Sequence, residues 1–278
     1  IQFNNQELDE IKYFINKKDK ELSIDSEIFL KNIFLNHQDF LKIFFPQTNK
    51  KIILNNHNLK INFNNNNLTF SGSGKVKIDN DFEDIDYFIQ KKENKINFST
   101  NLILKNTKFQ IDNINYKKKD NSRMNLLING ELKNNKNLNI NSFIINEKNN
   151  NIKIRNLSFN DSNQIIKIDQ ANFNYLDTEN KKNNYNIKKL EGQNYSINGK
   201  SFNANSLISN LLDTDDKKEN NLFENNVSME LNFEKVYFDK IYFVKDLNGK
   251  INIINNKLEK ADILALYNDS QNIKFTIR

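Results

Sequence analysis

The 278-residue chain has no cysteine, one proline (Pro46) and only six glycines, and each shortage removes a class of answers. Without cysteine there are no disulfides, no thiolate metal sites and no thiol nucleophile, although the compartment stays open. So little proline and glycine is unusual for a protein with many tight turns, so another residue must make them. No apolar run approaches the roughly 20 residues of a membrane-spanning helix, and no signal peptide is visible. The chain starts at Ile1 and not at Met, so we expect a piece of a longer protein, with any anchor or export signal upstream.

Recognisable reaction chemistry is also scarce. His37 and His57 have no metal-ligand spacing and read as solvated or turn histidines. Asp213, Asp215 and Asp216 resemble the start of a calcium loop, but no glycine or closing glutamate follows where one is needed. Gly72-Ser73-Gly74 falls within a strand pattern, not between a strand and a helix, so it is no phosphate cradle. Asp84 and Asp86 sit in an expected connector with no identifiable partner, and there is no nucleophile elbow. The expectation is a non-enzyme without metal or cofactor.

What the chain does have is Phe (22), Tyr (9), much Ile and a great deal of Asn. The aromatic and β-branched residues favour strands. Asn tolerates left-handed backbone, so Asn64 to Asn67, Asn134 to Asn137 and Asn149 to Asn151 read as hairpin turns. Asn, Lys and Ile are also favoured by A/T-rich codons, which weakens arguments from charge. The net charge is +6, from 41 Lys and Arg against 35 Asp and Glu, with a pI near 9.1. The cations are mostly lysines in turns, with Arg123 and Arg155 in strands and Arg278 at the end. Runs at Lys117 to Lys119, Lys181 to Lys182 and Lys217 to Lys218 read as solvated, edge-protecting charge, and no nucleic-acid partner is expected.

One stretch sets the pattern. FQIDNINY, Phe109 to Tyr116, places Phe109 and Ile111 on one face, skips two polar residues and resumes at Ile114 and Tyr116. The same grammar recurs at Leu138, Ile140, Phe143, Ile145; at Ile152, Ile154, Leu157, Phe159; at Ile166, Ile168, Ala171, Phe173; and at Leu231, Phe233, Val236, Phe238. Period-two alternation indicates half-buried strands, and each skip predicts a bulge or bend. Residues 1–50 read as a mixed segment. Leu8, Ile11, Phe14 and Ile15 fit a helical face, and Ile28 to Phe45 fits a strand followed by a helical turn. Residues 51–176 read as antiparallel β repeats: Ile52 to Asn55, Leu59 to Phe63, Asn67 to Ile78, an acidic connector from Asp81 to Gln90, then the alternations from Ile96 and from Met124. In 177–278 we expect a polar interruption from Asp177 to Asn186, a strand from Tyr185 to Ile197, a short helix near 203–212, and strands from Val227 onward.

So many strands and so few helices leave an apolar face that either closes as a core or opens as a groove. Each buried methylene gains about 0.8 kcal/mol, so a sixteen-carbon acyl chain gains on the order of 12 kcal/mol before ordering costs. The phrases YSINGKSFNANSLISNL from Tyr195, DLNGKINI from Asp246 and LEKADILA from Leu258 resemble the AsmA-like proteins of Gram-negative bacteria, most closely the YhdP-type branch. LTFSGSGKVKI and FQIDNINY are similar in style. The resemblance implies a long twisted antiparallel sheet curled into an open groove. In that family setting the groove carries phospholipid acyl chains across the periplasm in support of the outer membrane. The protein would be anchored in the inner membrane by a helix outside this chain, with a membrane at each end of the full-length protein. The groove-facing candidates are Leu68, Phe70, Val76, Ile78, Phe98, Leu102, Phe109, Ile111, Leu126, Ile128, Ile166, Ile168 and Phe173. The alternative is a non-catalytic structural or adhesin-like β-repeat scaffold.

Overall fold

The computed structural model describes residues 7–18, 21–36, 41–48, 51–134, 137–162, 164–205, 223–239, 241–267 and 271–278. The protein is mainly β, a large and mostly antiparallel sheet that is not closed into a barrel. It divides into two compact units, one built largely from residues 1–111 and 117–138, the other largely from 149–278.

The first unit contains β1 (Glu7–Lys18), β2 (Glu21–Asn36), β3 (Lys51–Asn64), β4 (Asn67–Lys77), β5 (Phe82–Lys92), β6 (Lys95–Leu104) and β9 (Met124–Lys133). Each pairs antiparallel with the next in this order, β6 pairing directly with β9. Between β6 and β9 the chain leaves the sheet for a ribbon, β7 (Gln110–Ile111) and β8 (Tyr116–Lys117), flanking a 3-10 turn at Asp112–Ile114. The only helix among the described residues is one turn, α1 (Leu41–Phe44). Strand β10 (Asn137–Glu147) follows β9 in the sheet order.

The second unit holds β11 (Asn150–Phe159), β12 (Ile165–Leu176), β13 (Lys182–Lys189), β14 (Asn194–Asn203), β15 (Val227–Tyr237), β16 (Phe243–Ile254), β17 (Lys257–Tyr267) and β18 (Gln271–Ile277). All neighbours are antiparallel except β14 and β15, which run parallel. A parallel pair needs a return crossing. Its ends are fixed where Ala204 N donates to Tyr237 O at 2.8 Å and where Glu224 N donates to Ile165 O at 3.0 Å.

Asparagine does make the turns. Asn65 and Asn66, between β3 and β4, have φ of 46° and 62°, and Asn255 and Asn256, between β16 and β17, have φ of 51° and 60°. Two consecutive left-handed residues form the hairpin turn whose twist matches that of the strands. Left-handed residues also occur inside strands, at Asn56 (φ 46°), Asn156 (φ 51°) and Asp246 (φ 48°). Asn56 lies between the pairs Leu30↔His57 and Asn32↔Asn55 on the β2 side, while the register with β4 steps by one. Asp246 lies between Phe233↔Leu247 and Lys235↔Lys245 on the β15 side, while the register with β17 steps. Asn156 lies between Arg155↔Gln170 and Leu157↔Ile168 against β12, and its Nδ2 donates to Asp169 Oδ2 at 2.9 Å. The left-handed residue restarts the alternation, so two polar residues separate successive apolar ones. The skips at Arg155-Asn156, Asp169-Gln170 and Glu234-Lys235 therefore coincide with breaks in the ladder. The skip at Asn141-Ser142 lies within β10.

Several expectations are corrected. The segment around Leu8 to Ile15 is strand β1, because pairing with β2 overrides a spacing that a short apolar run also offers a helix. The runs Ile52 to Asn55 and Leu59 to Phe63 are one strand bent at Asn56. The supposed connector Asp81 to Gln90 is mostly β5, paired on both sides, with Asp84 bonded to Lys75. Tyr185 to Ile197 spans two strands around a turn with Gly192 at φ 63°. FQIDNINY is not a strand of the large sheet; it holds β7 and the start of β8, and its skip is the 3-10 turn between them. The helix near 203–212 falls mostly outside the described residues, as do His37, the Asp213 to Asp216 cluster and Lys217 to Lys218.

Lys118 is 3% exposed and is no solvated turn lysine. Its Nζ donates to Lys105 O at 2.6 Å and Lys119 O at 3.3 Å, and burial pushes its pKa down against the pull of Glu147, Glu83 and Asp120. Buried Glu83 accepts the backbone N–H groups of Lys105, Asn106 and Thr107 at 2.8, 2.8 and 2.7 Å. Buried Glu147 accepts Lys119 N at 2.8 Å and the Ser122 hydroxyl. Two carboxylates thus fasten residues 105–107 and the turn at Lys119 and Ser122 to the end of the sheet. Replacing Glu83 with Ala strands the buried Thr107 N–H and two partly buried ones and leaves Lys118 less compensated. Glu83→Ala is expected to cost roughly 2–5 kcal/mol in urea unfolding, against less than about 1 kcal/mol for Asp84→Asn in a partly exposed pair.

Candidate functional site: one apolar face in each unit

Directly opposed residues share a face of a sheet, so the register identifies what each face carries. In the first unit four rows cross β3 to β9. Phe63, Leu68, Lys91, Ile96 and Leu132 form the first; Ile61, Phe70, Ile89, Phe98 and Gly130 the second; Leu59, Gly72, Tyr87, Thr100 and Ile128 the third. The fourth brings together Ile85, Leu102 and Leu126, and beyond it lie Leu54, Val76, Glu83, Leu104 and Met124. The reverse face is mostly polar, with Lys60, Asn62, Thr69, Ser71, Ser73, Asp86, Gln90, Asn97, Ser99 and Asn129, interrupted by Phe88, Ile103 and Leu127.

The apolar face changes along the strands. Leu54, Val76, Leu102, Leu104, Met124 and Leu126 are buried. At that end Phe109 stacks on Phe44 of α1 at 6.1 Å and meets Phe45 edge-on at 5.4 Å. Toward the Asn65-Asn66 turn, Phe63, Leu68, Phe70, Ile89, Ile96, Phe98, Ile128 and Leu132 are half-buried. Within this unit the described residues supply no second sheet beyond the short β7–β8 ribbon and no further α-helix to cover them.

Of the candidates, Leu68, Phe70, Val76, Phe98, Leu102, Leu126 and Ile128 lie together on this face. Ile78 is buried just past the end of β4, where Thr48 Oγ1 donates to its carbonyl at 3.1 Å. Phe109 and Ile111 are not on the sheet, because the chain has left it for the capping excursion. Sequence reasoning missed Ile85, Tyr87 and Ile89, which the connector reading of β5 hid, and His57. The signal for His57 was present, since Ile52, Leu54, His57 and Leu59 repeat the apolar grammar.

His57 is fully buried, stacks on Tyr87 at 5.4 Å, and its Nε2 lies 3.2 Å from the Tyr87 hydroxyl. Burial pushes its pKa down against a smaller opposing pull from Asp86, so the neutral ring is favoured. Gly72 leaves room for this pair, because a methyl there would fall 2.4 Å from the Tyr87 ring.

The second unit has the same construction. Ile152, Phe173, Tyr185 and Gly199 align across β11 to β14, as do Ile154, Ala171, Ile187 and Ile197, and Leu157 opposes Ile168. Met229, Leu231 and Phe233 extend the face onto β15, and Leu247, Gly249 and Ile251 onto β16. Ile166 has the parity of Ile168 on β12. The aromatic rings form a continuous ladder: Tyr116 to Tyr175 at 5.7 Å, Tyr175 to Phe173 at 6.4 Å, Phe173 to Tyr185 at 4.6 Å, and on to Phe202 and Phe233. Tyr175 donates its hydroxyl to Ile114 O at 2.6 Å. At the other end Phe223, Ile168, Ile187 and Met229 pack on buried Tyr195, Val227 and Ile253.

Among the described residues no group of three or more His, Asp or Glu side chains is placed to hold a metal, and no helix is long and apolar enough to cross a membrane. No family model, curated protein or solved structure matches the chain.

Burial pushes the pKa of Tyr175, Tyr185 and Tyr195 up, the first two far beyond the ordinary phenol value of 10.0. A raised folded-state pKa means their contribution to stability is complete below pH about 10 and falls as pH rises further. We expect tyrosinate absorbance from these rings to appear only together with loss of the β circular-dichroism signal in an alkaline titration. Ionisation well before unfolding would show that the rings are open to water.

Proposed function

We propose that the apolar faces hold the acyl chains of phospholipids, as a segment of an AsmA-like bridge that carries lipid between the inner and outer membranes. The observation that carries this reading is the half-buried apolar field of Phe63, Leu68, Phe70, Ile89, Phe98, Ile128 and Leu132, over which the described residues of its own unit lay no covering layer. Sustained over several strands, such a field is too extensive for scattered surface residues and fits an apolar ligand. The opposite faces, rich in Asn, Lys and Ser, stay in water. The mechanism is passive: chains lie along the face while head groups remain at its polar margins. On this reading the protein is periplasmic, anchored by a helix outside the chain, has no catalytic residue or cofactor, and does not bind nucleic acid. The capped end around Phe109 then seals one edge of the lipid-holding field.

Organic extraction of the purified protein followed by mass spectrometry is expected to release phospholipid. Ile128→Glu places a charge in the middle of the field and should remove that lipid while leaving the β circular-dichroism spectrum unchanged. Global unfolding of Ile128→Glu would identify a closed core. Lipid-free wild-type protein would favour a scaffold built from the same repeats.

A further inference from the structure

The connection between β15 and β16 gathers exposed apolar side chains at a hairpin end. Phe238 is 39% exposed, Ile241 77% and Tyr242 55%. Three of its backbone N–H groups are bonded within the turn. Phe238 N donates to Tyr242 O at 3.1 Å, and Asp239 Oδ1 accepts both Ile241 N and Tyr242 N at 2.6 Å. The one carboxylate among these residues is thereby turned back onto the chain, and these bonds hold its pKa low. Just behind the tip two lysines lie over aromatic rings. Lys235 Nζ is 3.8 Å from the Phe243 ring centre and 4.7 Å from that of Tyr237, and Lys181 Nζ is 4.7 Å over Tyr237 from the other strand pair.

We propose that this hairpin end, Phe238, Ile241 and Tyr242 backed by Lys235 and Lys181, docks on an anionic lipid bilayer surface. The apolar side chains enter the interface, and the internally bonded turn reduces the cost of carrying backbone N–H groups out of water. Lys235 precedes Phe238 by three residues, about 10 Å along an extended strand, which sets its charge at head-group depth when the tip enters the 5–10 Å boundary zone. Cations held on aromatic rings keep an apolar body beside a polar charge, the chemistry of that boundary. Docking at this tip does not require that the apolar faces carry lipid.

The test is flotation of the full chain with vesicles of phosphatidylcholine containing phosphatidylglycerol, and with phosphatidylcholine alone. Wild type is expected to float with the anionic vesicles and to be released by salt. Ile241→Asp should weaken binding by about tenfold or more, the scale of one large apolar side chain. Lys235→Gln should weaken it about fivefold, and only on anionic vesicles. Tyr242→Trp should keep binding and shift its fluorescence to the blue on docking. Binding undiminished in Ile241→Asp, or wild-type protein that floats with neither vesicle, overturns the proposal; in the second case a protein partner for the tip is indicated. Lipid extraction from the same preparation reads the face independently, so either result can fail alone.

Discussion

In a one-layer amphipathic sheet a strand cannot change face by itself. If Leu54 and His57 both point to the apolar side, the two residues between them must absorb a half-period, and each neighbouring strand must do likewise or step its register, or it sets polar groups against apolar ones. The protein meets this constraint in pairs. Leu30 and Ile33 on β2 mirror Leu54 and His57 on β3, Ile168 and Ala171 mirror Ile154 and Leu157, and Phe233 and Val236 mirror Val244 and Leu247. In each pair one strand contributes the left-handed residue, Asn56, Asn156 or Asp246, and its partner follows without one recorded. The apolar face stays continuous through every break, and the aromatic ladder and the rows of aliphatic side chains rest on that continuity.

This constraint explains what the sequence reveals. Alternation over Met124 to Leu132 and the repeated skip are local properties, visible because each strand obeys them alone. Asparagine clusters mark hairpin turns for the same reason. The cap was illegible because Glu83 reaches backbone groups 22 to 24 residues away, and Glu147 reaches back 28 to Lys119. No spacing rule links a strand carboxylate to the amides of a later loop. Lys118 was misread for the same reason, since its run looks like turn charge until the carbonyls of Lys105 and Lys119 accept its ammonium beside Glu83 and Glu147. In β5 the pair Asp84 and Asp86 masked a strand whose other residues, Ile85, Tyr87 and Ile89, alternate correctly. For FQIDNINY the grammar was read correctly but its setting was not: Phe109 and Tyr116 are buried, yet through a turn and not along a strand.

The apolar field and the sealed end serve different physical purposes. Around Leu104, Met124 and Phe109 the protein has an ordinary core, closed by α1 and by charges satisfied through backbone amides. Toward the Asn65-Asn66 turn the same strands carry the same residue types with less cover. The change from one to the other occurs within single strands, so it follows from what lies over the sheet and not from the alternation.

Every described strand of the large sheet except β9 follows its sheet neighbour directly in sequence, and β14 to β15 is the one parallel step. A fold assembled this way behaves as a chain of nearest-neighbour couplings, in which ordering propagates from strand to strand as in linear repeat proteins. Losing an end strand then shortens the array without dismantling it, whereas a break at the β14–β15 junction, whose closure needs the long return from Ala204 to Asn226, separates the array into two zippers that nucleate on their own.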